Sequence, residues 1–181
     1  MPAAPPSVVD LVIAARRGDG AAFAHLYDRF AAAVHAVVLA RVAWQDCADL
    51  VQDVFLIAWQ RLDAVREPAA FPGWLMTIAR NRATDHLRGA GRAPRASADD
   101  RVPEPAVAPV PAAEVREALA AIRTLPEAYR EILLMRLVEG LAGPEIAERT
   151  GLTPGSVRVN LHRGMMLLRD RLGATAAGED A

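Results

Sequence analysis

From residue 89 to residue 113 the chain reads GAGRAPRASADDRVPEPAVAPVPAA, with five prolines and no helical period. Such a stretch is a linker, extended at about 3.1 Å per residue where proline dominates. It forces any compact structure into two groups of elements, one on each side. The expected division is an N-terminal domain at 7–90, a flexible linker at 91–113, a C-terminal domain at 114–173 and a tail at 174–181. With 181 residues, each domain is small.

Neither side reads as strand. No segment keeps strict alternation, whereas several repeat apolar residues at spacings of three and four, so the class is all-α. Residues 10–17 make a first short helix, ended by Gly18-Asp19-Gly20. Residues 21–42 make a second, with Phe23, Leu26, Tyr27, Phe30, Val34, Val37 and Val38 on one side. Residues 46–62 form a third, carrying Leu50, Val54, Ile57, Ala58 and Leu62. Residues 72–88 form a fourth, with Trp74, Leu75, Ile78, Ala79, Ala83 and Leu87 apolar. Beyond the linker, helices are expected at 114–123, 126–139, 144–149 and 154–172. Pro126, Pro144 and Pro154 each stand at or near a helix start, where a missing N–H is harmless. Thr153 suits an N-cap and Gly151 a helix end. The run 144-PEIAERTGLTPGSVRVNLHRG-164 therefore reads helix, tight turn, helix.

The last helix has two faces. At 100° per residue from Val157, the residues Leu161, Met165, Leu168 and Leu172 fall in one apolar stripe. His162, Val159 and Arg163 lie opposite, with Arg158 flanking. A solvated surface helix would also be charged there. Two details favour a polyanion: four arginines against one Asp170 between 158 and 171, and an apolar Val159 facing outward, where it can pack on a thymine methyl.

The N-terminal half carries two helices of opposite charge. From 74 to 95 stand Arg80, Arg82, Arg88, Arg92 and Arg95 against Asp85 alone. Phe71 and Trp74 adjoin this basic stripe. Together they suit single-stranded DNA, arginines holding phosphates and aromatics stacking bases; both aromatics are equally intelligible as core. The third helix carries Asp46, Asp49 and Asp53, with Gln52 and Trp59 beside them. DNA would repel it, so it faces either a protein or solvent.

The formal net charge is only −1, and all 21 basic residues are arginine. A single cysteine, Cys47, excludes an internal disulfide and a cysteine-cluster metal site and reads as a small core filler. The N-terminus lacks the pattern of a signal peptide, and no apolar run approaches the roughly 18 residues of a membrane span, so a soluble cytoplasmic protein without cofactor or metal is expected. His25, His35 and His86 have no partner at a meaningful spacing in sequence, and no nucleophile–base set or phosphate loop is visible. The chain is not expected to be an enzyme.

Three segments, 49-DLVQDVFLIAWQRLD-63, 71-FPGWLMTIARNRATDHLR-88 and 125-LPEAYREILLMRLVEGLAGPEIAERTGLTPGSVRVNLHRGMMLLRDRL-172, resemble the extracytoplasmic-function (ECF) group of sigma factors in the sigma-70 family. The resemblance covers nearly the whole chain outside the linker and tails, in the family's order and spacing. It implies a region 2 helical bundle followed by a region 4 helix-turn-helix. It implies docking on core RNA polymerase, at the β′ clamp helices and the β subunit, with the clamp contact carried to Asp49, Gln52, Asp53, Phe55 and Trp59. It implies opening and reading of the promoter −10 element by Trp74, Arg80, Asn81, Asp85 and Arg88. The −35 element falls to Arg158, Val159, Asn160, His162 and Arg163. An anti-sigma factor is implied as a second partner, holding the protein inactive until a signal arrives.

The chain departs from the family pattern in three places. Val159-Asn160 stands where relatives commonly show Ser then Arg, Gly164 where they show alanine, and 142-AGP-144 where they start the hairpin with a Ser-Tyr-Glu-like run. The first departure alters the expected −35 preference, and the second should cost about 1 kcal/mol relative to alanine inside a helix. The rival reading is a helix-turn-helix regulator that acts without entering the polymerase. It would call for a receiver or ligand pocket at the N-terminus and leave the basic fourth helix unexplained.

Overall fold

The computed structural model describes residues 6–90 and 113–179, with side chains described from 6 to 89 and from 115 to 172. Among these residues there are eight α-helices and no strand. Of the proline-rich stretch 89–113, residues 91–112 lie outside the described residues; Gly89 and Ala90 end one helix and Ala113 opens another.

Local chemistry sets the first elements. The Ser7 hydroxyl accepts the Asp10 N–H at 3.2 Å and starts α1 (Val8–Arg16). Gly18 turns the chain at φ +91°, a conformation open to glycine. Asp19 then accepts the Ala22 N–H at 3.0 Å and caps α2 (Gly20–Leu39). A 3-10 turn at Trp44–Asp46 leads into α3 (Cys47–Gln60). Two more such turns, Leu62–Ala64 and Pro68–Ala70, lead into α4 (Phe71–Ala90). After the linker follow α5 (Ala113–Arg123), α6 (Glu127–Leu137), α7 (Gly143–Thr150) and α8 (Pro154–Glu179).

The central element is α2. Leu26, Phe30, Ala33, Val34, Ala36, Val37 and Val38 are all fully buried. Its alanines let neighbours come close, and it packs against α1, α3 and α4 on one side of the linker and against α6 and α7 on the other. Buried residues from both groups form one continuous cluster. The C-terminal helices are therefore stacked on the N-terminal ones.

The hairpin forms as its capping residues dictate. Gly151, at φ +75°, closes α7, and Thr153 caps α8 by accepting the Ser156 N–H at 3.1 Å. At the start of α7, Glu145 accepts the Ala142 N–H at 2.8 Å. Alanine has no oxygen to complete a reciprocal capping box, so only the carboxylate half forms.

Two expected core positions are corrected. Leu87 is 49% exposed, because the last turn of α4 runs past the helices it packs on and leaves Asp85, Leu87, Arg88 and Gly89 on the surface. Tyr27 is more than a third exposed, its ring tilted on Phe55 at 4.5 Å. The final helix also outruns its expected end at 172. It continues to Glu179 through the first residues of the expected tail, where alanines favour helix and proline does not intervene.

Candidate nucleic-acid interface

The outward face of α8 follows from its inward one. Val157 and Leu168 are buried and Leu161, Met165 and Leu172 half-buried, so the stripe lies on the core. Arg158, Val159, His162 and Arg163 are exposed, Val159 at 45%; Asn160 is half-buried at the edge of the stripe. The position of Gly164 revises the cost expected of it. A Cβ there would lie 3.1 Å from Leu133 Cδ1 and 3.2 Å from Tyr129 Cβ. Glycine brings α8 against α6, which offsets its poor helix propensity.

On α4, Asn81, Asp85 and Arg88 are exposed, the last two as an ion pair at 3.6 Å. Trp74 is half-buried, 6.0 Å from the ring of Phe71. Phe71 itself is fully buried and meets Phe30 edge-on at 5.3 Å. It is core and cannot serve as a base platform; Trp74 retains an accessible edge.

Along α3, Asp49, Gln52 and Trp59 are exposed and Asp53 is half-buried. Phe55 is corrected. At 4% exposure, it lies between Phe23 (6.4 Å) and Tyr27 (4.5 Å), behind the exposed face of α3 and not on it. The residue that sequence reasoning missed is Leu56, 56% exposed. Its position opposite the Leu50, Val54, Ile57 stripe was a usable signal: an apolar side chain where a solvated helix has no use for one. Trp59 is braced by Phe23 at 4.7 Å, which fixes its ring while leaving 40% of the residue exposed.

Between the two groups of helices lies a charged cluster. Glu131 of α6, only 5% exposed, accepts Arg80 Nε at 2.9 Å and Nη2 at 2.8 Å. Arg41, just past α2, meets the same carboxylate at 2.8 Å and also pairs with Glu127. The hydrogen bond to Glu131 raises the Arg80 pKa above its ordinary value, against burial, which lowers it. Arg29 pairs with Glu148, and the Arg149 Nε–H is donated to the Arg29 carbonyl at 2.8 Å. Arg123 donates to the Leu39 and Val42 carbonyls, capping the C-terminal end of α2 from α5. The hairpin turn is close too: a Cβ on Gly73 would be 3.9 Å from the Thr150 carbonyl oxygen. Sequence spacing carries no signal for pairs 51 or more residues apart, and Arg41, Glu127 and Glu131 were accordingly not singled out.

The fold also supplies partners that the sequence did not reveal for two histidines. His35 Nδ1 lies 2.5 Å from Glu139, tying α2 to the loop after α6, and His86 Nε2 lies 3.3 Å from Asp46, tying α4 to the turn before α3. Cys47 is buried, with its thiol donating to the Ala43 carbonyl at 3.4 Å; burial pushes its pKa up to about 12. No described helix is long and apolar enough to cross a membrane.

Set beside known proteins, the chain matches the family models "Sigma-70 region 2" over residues 26–93 and "Sigma-70, region 4" over residues 116–168. It is 34% identical to the RNA polymerase sigma factor CarQ of Myxococcus xanthus over 161 residues, covering 86% of this chain and 92% of that one. It is 31% identical to the ECF RNA polymerase sigma-E factor of Escherichia coli K12 over 170 residues, covering 84% and 87%. Two further curated relatives are longer, and the chain spans 33% of one and 64% of the other. Among solved structures, CnrH in complex with the cytosolic domain of CnrY superposes with a TM-score of 0.59 at 25% identity, covering 92% of this chain and 97% of that chain.

Proposed function

The chain belongs to the ECF group of the sigma-70 family, and we propose that it works as one, joining core RNA polymerase and directing promoter recognition and opening. The observation that carries this reading is the pairing of two exposed faces of opposite character. One, on α3, is acidic with apolar members: Asp49, Gln52, Leu56 and Trp59. The other, on α8, is basic with one apolar member: Arg158, Val159, His162 and Arg163.

The α3 face suits a basic helical surface of the polymerase, with Leu56 and Trp59 as apolar anchors and the carboxylates setting orientation. Asp53 belongs to this face through Arg82, which holds it, and Phe55 by bracing Tyr27 and Phe23. The α8 face suits the major groove at the −35 element, where Arg158 and Arg163 meet phosphates or guanines and Val159 meets a thymine methyl. Asn160 sits at its edge. On α4, Asn81, Asp85 and Arg88 with the edge of Trp74 suit unpaired bases of the −10 element, and Arg80 joins them when it leaves Glu131.

A net charge of −1 is weak for a free DNA-binding protein. Held by the polymerase, modest contacts gain from effective concentration, and strand opening is driven by capture of flipped bases. The protein acts in the cytoplasm, where the polymerase is. An anti-sigma factor covering the α3 face would keep it silent. A regulator working without the polymerase is less favoured, since it leaves the region 2 match over 26–93 unused.

Co-elution of the purified chain with core RNA polymerase tests the reading. A stable complex that starts transcripts at defined sites is expected; a chain that elutes alone refutes it.

A further inference from the structure

We propose that Arg41 and Arg80 form a binding pair for a promoter DNA phosphate, and that Glu131 and Glu127 occupy it as an internal stand-in while the two helical groups are stacked. The inference rests on the sigma-factor reading above and adds to it a site and its regulation.

The geometry is that of an anion site already filled. Arg80 presents Nε and Nη2 as a fork to the two oxygens of Glu131, at 2.9 and 2.8 Å. Arg41 reaches one of those oxygens from the turn that follows α2, at 2.8 Å. Two guanidiniums, one from the turn after α2 and one from α4, thus converge on one anion, the arrangement that binds a phosphate as readily as a carboxylate. Arg41 is held in place by its own bond to the Val37 carbonyl at 2.9 Å, so the pair needs little rearrangement to accept another anion.

The anion that fills the site is supplied from α6, across the boundary between the groups. Both carboxylates leave together if α6 lifts from α2, giving the N-terminal group two uncovered positive charges. An open cleft of about 540 Å3, lined by Arg80, Glu127, Glu131, Thr150 and Leu152, admits solvent to the Arg80 side of the cluster. The hairpin turn at Thr150–Gly151 lies against Gly73, next to Trp74, so stacking also covers the first turn of α4. Purely mechanical adhesion does not call for this chemistry, because burying a charged trio carries a desolvation cost that apolar packing avoids. Nucleic acid and Glu131 therefore compete for the same arginines, and the apparent DNA affinity falls with the fraction of molecules that are open.

The test uses the full chain and a fluorescein-labelled, mixed-sequence single strand of about 20 nucleotides, long enough to cross the whole α4 face. Binding is read by anisotropy, and compactness by small-angle X-ray scattering. The variant Glu127→Gln/Glu131→Gln should bind about tenfold more tightly than the parent and have a larger radius of gyration. Adding Arg41→Gln should remove most of that gain while leaving the chain expanded. A charge-matched control, Asp28→Asn/Glu117→Gln at exposed sites, should gain only about twofold from the changed net charge. Glu127→Gln alone, at a carboxylate 56% exposed, cannot unfold the core and should shift both readouts the same way by less. A gain no larger than the control's, or one that Arg41→Gln leaves intact, would overturn the phosphate pair. Co-elution with core polymerase is followed in parallel. Failure of the parent chain to co-elute defeats the sigma-factor reading, whereas normal co-elution without the DNA gain defeats only the pair.

Discussion

Asp53 on α3 and Arg82 on α4 hold one another through a single carboxylate oxygen, which accepts Arg82 Nε at 3.0 Å and Nη2 at 2.6 Å. The acidic helix and the basic helix, which look like separate surfaces in the sequence, are thereby fastened side by side. Both side chains remain about a third exposed or more, so solvent screens the pair. Asp53→Asn should cost about 0.5 kcal/mol, and a double-mutant cycle with Arg82→Gln should return a coupling of similar size by chemical denaturation. A coupling near zero would mean the pair is incidental.

Leu56 gives a cleaner probe of the proposed polymerase face than Asp53, because it is well exposed. Leu56→Asp should leave helix content and melting unchanged yet weaken binding to core polymerase by about 2 kcal/mol, roughly thirtyfold. Titration of labelled core enzyme with both proteins measures this. Equal affinities would remove α3 from the interface.

Gly164→Ala tests the close approach of α8 to α6. Alanine gains about 1 kcal/mol of helix propensity, while crowding against fully buried Leu133 and the Tyr129 Cβ costs about 1–3 kcal/mol. The net expectation is a lower melting temperature. A rise would show that α6 can retreat by the few tenths of an ångström required.

Val159→Ser should change which −35 sequences are selected without moving the melting temperature. The exposed valine offers only apolar contact, so its loss should weaken any preference for thymine at the facing position by about 1 kcal/mol. Selection from randomised promoters with both proteins reads the outcome, and identical preferred sequences would exclude Val159 from readout.

Cys47 makes a prediction about pH. Its folded pKa is about 12 and its ordinary value 9.0, so between those values the folded state binds more protons than the unfolded one. Stability is therefore fully present below about pH 9 and declines as pH rises towards 12, by at most about 1.4 kcal/mol per unit. The stability difference between parent and Cys47→Ala should shrink across pH 9 to 10.5 in denaturant titrations. A constant difference would show that the thiol does not titrate out of register with the unfolded chain.

What could be read from the chain alone was whatever repeats locally. The faces of α8 are fixed by 3.6-residue periodicity, so Val157, Leu161 and Leu168 inward implied Val159, His162 and Arg163 outward. Caps were equally legible, Thr153 and Gly151 because their chemistry acts within four residues. Tyr27 and Leu87 were misplaced because periodicity gives the direction of a side chain but not whether another helix lies there. The Glu131 cluster was invisible for a deeper reason: Arg41 in the turn after α2, Arg80 on α4 and Glu131 on α6 are far apart in sequence, and only stacking across the linker brings their charges together.

The most direct measurement is run-off transcription by purified core RNA polymerase on a promoter library, with and without this protein. Defined transcripts that appear only when the protein is added, from templates sharing a −35 and a −10 element, are expected. Transcripts that are absent, or the same with core enzyme alone, would contradict a sigma factor.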